Sequence, residues 1–251
     1  MFLIILIILT SSILGWFAYV QNYSKPIETA YNSQDHVLIA PPEQNPTPKA
    51  QIQAAEILPK VFLNKAPFTV QAPTANWNDK MYAEGCEEAS MLMAAEYFSG
   101  NTESMLNTSY ALEKIKELAE WEQEKFGYHL DINAEKMAIT LKEYLGLNAE
   151  IIHSMTEDHM KSELLKNRLI IWIVNGQELN NPNFRTPGPP FHVLLIKGYD
   201  SEGFVTNDPG TRKGMNYPYT YETLFNAGGD WDHTINAVNK GSKTAIVVWK
   251  N

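Results

Sequence analysis

The chain has 251 residues and a formal net charge of −9. Such an acidic surface repels phosphate backbones and argues against a nucleic-acid partner. A hydrophobic fraction of 44% suits a globular protein with one sizeable core, and a single cysteine, Cys86, excludes an internal disulfide and a thiolate zinc cluster.

In chain order, residues 1–20, "MFLIILIILTSSILGWFAYV", carry no charge. Twenty helical residues span about 30 Å, the thickness of a bilayer core. No Lys or Arg precedes Lys25, and the small-x-small candidate Ala18-Tyr19-Val20 places a valine at the cut. The segment therefore reads as an uncleaved transmembrane anchor rather than a cleaved signal peptide. Residues 21–60 are rich in Pro, Gln and Ala and lack periodicity. They read as a disordered tether, with "DHVLIA" as a short docking strand inside it. The folded domain is placed at 61–251.

Within that domain, "APFTVQAP" reads as an extended segment and "NWNDKMYAEG" as a loop. Helices are predicted at Cys86–Phe98, at about Ser109–Lys125, over "NAEKMAITLKEYLG" and over "TEDHMKSELLKN", where Thr156 suits a cap. A strand "AEIIH" lies between the last two. Then come "LIIWIV", a Pro/Gly/Asn loop at 175–190, and "HVLLIKGYD" and "GFVTNDP", joined by a tight turn at Asp200–Gly203. "TYETLFNA" reads as a helix and "TAIVVWK" as a closing strand. Helices first and an antiparallel sheet last argue for an α+β fold.

Gly85 precedes Cys86 at a loop-to-helix junction, and the helix that follows is apolar nearly all round, so it is expected to be buried centrally. A helix N-terminus lowers a thiol pKa. Glu87 and Glu88, carboxylates in the first turn, suit the macrodipole but oppose a thiolate, so a cationic partner is required. A lone cysteine is otherwise a small core hydrophobe. Among the six histidines, His192 opens an apolar strand directly after the Pro-rich loop. Asp208 lies sixteen residues on and returns beside it through the Asp200–Gly203 turn, where a carboxylate can orient an imidazole. Asn207 is the rival for that role. His233, with Asp230 and Asp232 in "GGDWDH", is weighed as a metal cluster and read as solvated. There is no His-Glu-x-x-His pattern and no Walker pattern, and no cofactor or metal is expected.

"GCEEASMLMAAEYFSG", "FHVLLIKGYDSEGFVTNDPG" and "PFTVQAPTANW" together resemble a papain-like cysteine peptidase. The branch is the bacterial bacteriocin-processing peptidase family and its stand-alone, peptidase family C thirty-nine-like relatives. The resemblance covers roughly residues 66–227. It implies Cys86 as nucleophile, His192 as general base, Asp208 as third member and Gln71 as oxyanion-hole donor; Trp77, in the loop between Gln71 and Cys86, reads as a packing anchor there. It also implies a thiolate–imidazolium pair between Cys86 and His192 and a peptide or protein substrate. The fold implied is a central N-terminal helix packed on an antiparallel sheet. The fused transporter domains of the bacteriocin exporters are missing, so cleavage after a double glycine is not carried over. The region 101–127, with Trp121 and Tyr128 nearby, is open between shaping the cleft and simply packing. The expectation is a membrane-anchored thiol peptidase acting outside the cytoplasmic membrane, or a secreted one if the first segment is cleaved. The alternatives are an amidase or transglutaminase-like acyl transfer on cell-wall peptides, and a non-catalytic surface binding module on a degenerate peptidase fold.

Overall fold

The structure, a computed structural model, describes residues 58–251. The expected anchor at 1–20, the strand "DHVLIA" and all but the last three residues of the tether lie outside the described residues. Among the described residues no helix is long and apolar enough to cross a membrane.

The elements run β1 (Phe62–Leu63), α1 (Lys80–Ala83), α2 (Cys86–Phe98), α3 (Thr108–Phe126), α4 (Ala134–Glu143), β2 (Asn148–Ile152), α5 (Glu157–Leu165), β3 (Leu169–Val174), β4 (His192–Tyr199), β5 (Gly203–Asn207), β6 (Tyr217–Thr220), α6 (Tyr221–Ala227), β7 (Gly228–Asp232), β8 (Ala237–Asn239) and β9 (Ala245–Trp249). The main sheet has the order β2-β9-β3-β4-β5-β6, with β1 on β4 and the β7–β8 hairpin on β3, and its strand pairings are antiparallel. The fold is thus mixed helix and antiparallel sheet.

The continuous apolar run of β3 follows from its central place. Leu169, Ile171 and Ile173 pack with Met91 and Met93 of α2 and Met137 and Leu141 of α4. Ile170, Trp172 and Val174 face the other way, against Met160 and Leu164 of α5 and Leu224 of α6. Both faces of the strand are covered, so alternation with polar residues is absent. β4 repeats the division, with Val193 and Leu195 on one side and Leu194 and Ile196 on the other.

α2 sits between the sheet and α3. Every residue from Cys86 to Ala94 is buried, as an all-round apolar helix requires. α3 is capped by Asn107, whose side chain accepts from the N–H groups of Ser109 and Tyr110, and ends on Gly127 in the left-handed region (φ 82°). Its inner face, Ala111, Ile115 and Leu118, packs on Ala89 and Leu92 of α2. Region 101–127 is therefore a packing layer behind α2, and none of its residues lines the cleft described below.

Several short elements depart from the expected reading. The loop before Cys86 contains α1, started by the Asp79 carboxylate accepting from Met81 N–H. "GGDWD" is strand β7, although glycine usually marks a loop. Its glycines are demanded by close approach: a Cβ on Gly228 would lie 2.3 Å from the Trp172 ring, and one on Gly229 would lie 2.2 Å from the Asn239 carbonyl. Asp230 and Asp232 spend their carboxylates on hydrogen bonds, Asp230 on the N–H groups of Ala134 and Trp231 and Asp232 on Thr234.

Candidate active site

Cys86 is the first residue of α2, and Gly85 makes that junction possible by its size. Its φ is −85°, so no positive φ is involved. A Cβ there would lie 2.8 Å from the Met81 carbonyl and 3.5 Å from Ile115. The Cys86 backbone N–H, at the helix N-terminus, has no partner within the helix and is free to meet an anion.

The β4–β5 hairpin supplies the other half of the site. Leu195 pairs with Asn207, and a bulge at Lys197 shifts the register between Ile196 and Gly198. One step further along the ladder, Asp208 falls opposite Leu194, on the strand face shared by His192. His192 Nε2 meets Asp208 Oδ1 at 2.7 Å, with both side chains buried. This leaves Nδ1 as the ring nitrogen free of Asp208. Asn207 points the other way. It donates to the Ala66 and Pro67 carbonyls and accepts from Asn216 N–H, so it holds the strand and not the histidine.

Asp208 is heavily supported. It also accepts from Tyr219 Oη at 2.6 Å, Asn181 Nδ2 at 3.3 Å and Gly210 N–H at 3.0 Å. Burial opposes its charge. His192 and the hydrogen bonds from Tyr219 and Gly210 outweigh that burial and hold the carboxyl below its ordinary range. Gly210 must be small: a Cβ would lie 2.9 Å from both His192 Cε1 and Phe184 Cε1. The Phe184 ring stands edge-on to the imidazole at 5.2 Å.

Gln71 completes the wall. Its Nε2 donates to the Ala83 carbonyl at 2.6 Å, and its Oε1 is buried without a partner. An amide nitrogen has two protons, so one remains for a cleft ligand. Gln71, Cys86 and His192 all line one cleft of about 890 Å³, walled by Phe184 to Pro189, Phe191 and Gly210 to Lys213. Trp77 is 39% exposed and lines this cleft too, so it is a wall residue and not the packing anchor expected of it.

The thiol departs from expectation. Cys86 Sγ donates to Glu87 Oε2 at 3.1 Å, and no hydrogen bond joins it to His192. The thiolate–imidazolium pair is not formed in this state. Burial pushes the thiol well up, Glu87 and Glu88 add to the effect, and a backbone hydrogen bond from Val193, the residue after His192, works against it. Nor are the two glutamates solvated groups on a first turn. Both are fully buried, and burial drives each carboxyl well above its ordinary range. Glu87 Oε1 accepts from Ile132 N–H, while Glu122 of α3, also buried and held up by its burial and by Glu88, accepts from Thr140. His129 Nδ1 lies 3.4 Å from Glu88. A cluster of three buried carboxyls, each held above its ordinary range, therefore lies directly behind the nucleophile's helix turn.

The family model described as the Peptidase_C39 like family matches residues 64–238. The chain belongs to that family. The matched span contains Gln71, Cys86, His192 and Asp208. A crystal structure assigned to a C39-like peptidase from Bacillus anthracis superposes with a TM-score of 0.50 at 16% identity, covering 77% of this chain and 98% of that one. At such identity the likeness shows the C39-like fold alone. No curated protein matches the chain.

Two residues of this C39-like site escaped the sequence, Asn181 and Tyr219, which clamp Asp208 and each other (Asn181 Nδ2 to Tyr219 Oη, 2.7 Å). Asn181 lies in the Pro/Gly/Asn loop, whose composition marks a loop but not a carboxylate support. The burial of Glu122 left no signal either, because it sits in a polar, glutamate-rich helix.

Proposed function

We propose that the protein is a cysteine peptidase that cleaves peptide bonds with Cys86 as nucleophile, His192 as general base and acid, and Asp208 as the group that orients the imidazole. The observation that carries this reading is the 2.7 Å His192–Asp208 bond on the rim of the cleft that also holds Cys86 and Gln71. Membership of the peptidase family supports a peptide or protein substrate.

In this reading the thiol turns from Glu87 toward the cleft and gives its proton to His192 Nδ1. The thiolate attacks the peptide carbonyl carbon. The second Gln71 N–H and the Cys86 backbone N–H hold the tetrahedral oxyanion, each worth about 3 kcal/mol to the barrier. His192 returns the proton to the leaving amine, and water then clears the thioester. The apolar segment at 1–20 and the Pro-rich tether make the expected setting a membrane-tethered domain outside the cytoplasm.

The test is peptide-library cleavage by the full-length protein in detergent beside its Cys86→Ala, His192→Ala and Gln71→Ala variants. Loss of turnover in the first two is expected, and Gln71→Ala is expected to lower kcat by about 10²-fold with little change in KM. Undiminished cleavage by Cys86→Ala overturns the reading.

A further inference from the structure

The sequence contains three arginines, Arg168, Arg185 and Arg212. Arg168 is bound to Glu163 at 2.7 Å. The other two both line the cleft, and Lys213 stands beside Arg212. Among the described residues, Arg185, Arg212 and Lys213 form no ion pair with an acid, and Glu84 is the one carboxyl among the lining residues. In a chain of net charge −9, a cleft with three cations and one acid runs against the whole surface.

Placement gives this excess a direction. Arg185 belongs to the loop that brings Phe184 edge-on to His192, and Arg212 and Lys213 follow Gly210, which packs on His192 Cε1. All three cations thus lie on the two loops that cradle the imidazole. The Gln71 segment is bonded to the second of these loops, its N–H donating to the Pro209 carbonyl at 2.9 Å. In acyl transfer, the oxyanion sits by Gln71 and the leaving amine sits where His192 can protonate it. The cations flank the imidazole and so stand near the leaving group. Guanidinium groups match planar carboxylates in bidentate geometry.

Building on the peptidase reading above, we infer that the cleft selects peptides with a carboxylate close after the scissile bond, held by Arg185 and Arg212 with Lys213 beside them. The carboxylate comes either from an Asp or Glu side chain or from the free C-terminus of a short leaving group.

The test uses the full-length protein in detergent with matched peptides that differ after the cleaved bond. One series carries Glu, Gln or Lys with an amidated C-terminus, and a second carries Gln with a free or an amidated C-terminus. The expected result is a kcat/KM for at least one carboxylate form about tenfold or more above its neutral match, falling with added salt. In Arg185→Gln and Arg212→Gln that ratio moves toward one. The first series isolates the side chain as the source and the second isolates the C-terminus. Cleavage of every peptide without charge preference overturns the inference and leaves the peptidase reading standing. A readout independent of peptide turnover is Cys86 alkylation by anionic iodoacetate against neutral iodoacetamide. The rate ratio is expected several-fold above that of a small free thiol and lowered in both arginine variants. A ratio at or below the free thiol overturns the inference even if no peptide is cleaved, an outcome that separately sinks the peptidase reading.

Discussion

The Cys86 thiol donates to Oε2 of Glu87, its own neighbour in the chain, at 3.1 Å. The nucleophile at rest is therefore held by a carboxyl that favours the protonated sulfur. Glu87→Gln keeps an oxygen to accept the Ile132 N–H and offers the sulfur a donor where the native pair shares a proton. We expect iodoacetamide labelling of Cys86 near pH 7 to rise by about tenfold, with the pH midpoint of labelling falling by about one unit. The rate–pH profile of the variant against the native protein is the measurement, and superimposable profiles would show Glu87 to be a bystander.

Tyr219→Phe removes a 2.6 Å donor from Asp208. The Asp208 carboxyl is held below its ordinary range, so the folded state keeps it charged when the unfolded chain has begun to take the proton. Its contribution to stability is present above the unfolded value of about 3.9 and is lost as the pH falls through the lower folded one. The variant should lose about 1.5–3 kcal/mol at neutral pH, the usual worth of a hydrogen bond to a charged group. Its acid unfolding should begin at higher pH. Denaturant melts at pH 3 to 7 check both.

Lys197, the bulge residue of β4, is buried with the Ala66 carbonyl as its hydrogen-bond partner, and burial lowers its pKa to about 8. Below that value the fold carries a charge that the unfolded chain holds more comfortably. Between pH 8 and the unfolded value of about 10.4, the unfolded chain binds the extra proton, so stability rises with pH. Lys197→Met should stabilise by roughly 2 kcal/mol at pH 7, since Asn207 still donates to Ala66, and should flatten that rise. Thermal melts across pH 7 to 10.5 decide it, and equal slopes in both proteins would contradict it.

Gly210→Ala places a methyl 2.9 Å from His192 and Phe184. The imidazole must give way by a fraction of an ångström or more, while the fold away from the rim is untouched. We expect a loss of up to about 10²-fold in kcat/KM, the scale of a misplaced catalytic group, with an almost unchanged Tm. A native rate would mean that the ring has room to spare.

Much of the site was legible because its parts carry local signatures. Cys86 after a glycine, His192 at the head of an apolar strand and Asp208 after a tight turn stand out along the chain, whereas Gln71 enters only through the family resemblance. "LIIWIV" announced a strand. The remainder depends on distant contacts. Asn181 meets Asp208 across 27 residues of separation, and Glu122 joins Glu88 only because α3 folds behind α2. Strand β7 was hidden because its glycines record the nearness of Trp172 and Asn239, a property of the folded neighbours and not of the segment itself.

The backbone N–H of Gln71 donates to the carbonyl of Pro209, the residue after Asp208, at 2.9 Å. The segment bearing the proposed oxyanion donor and the loop bearing the acid are thus laced together by the main chain, although 138 positions separate Gln71 from Pro209. A shift of either loop drags the other with it. No substitution short of proline at position 71 removes that donor, so the Gln71 segment and the Asp208 loop are coupled through the main chain and not through their side chains.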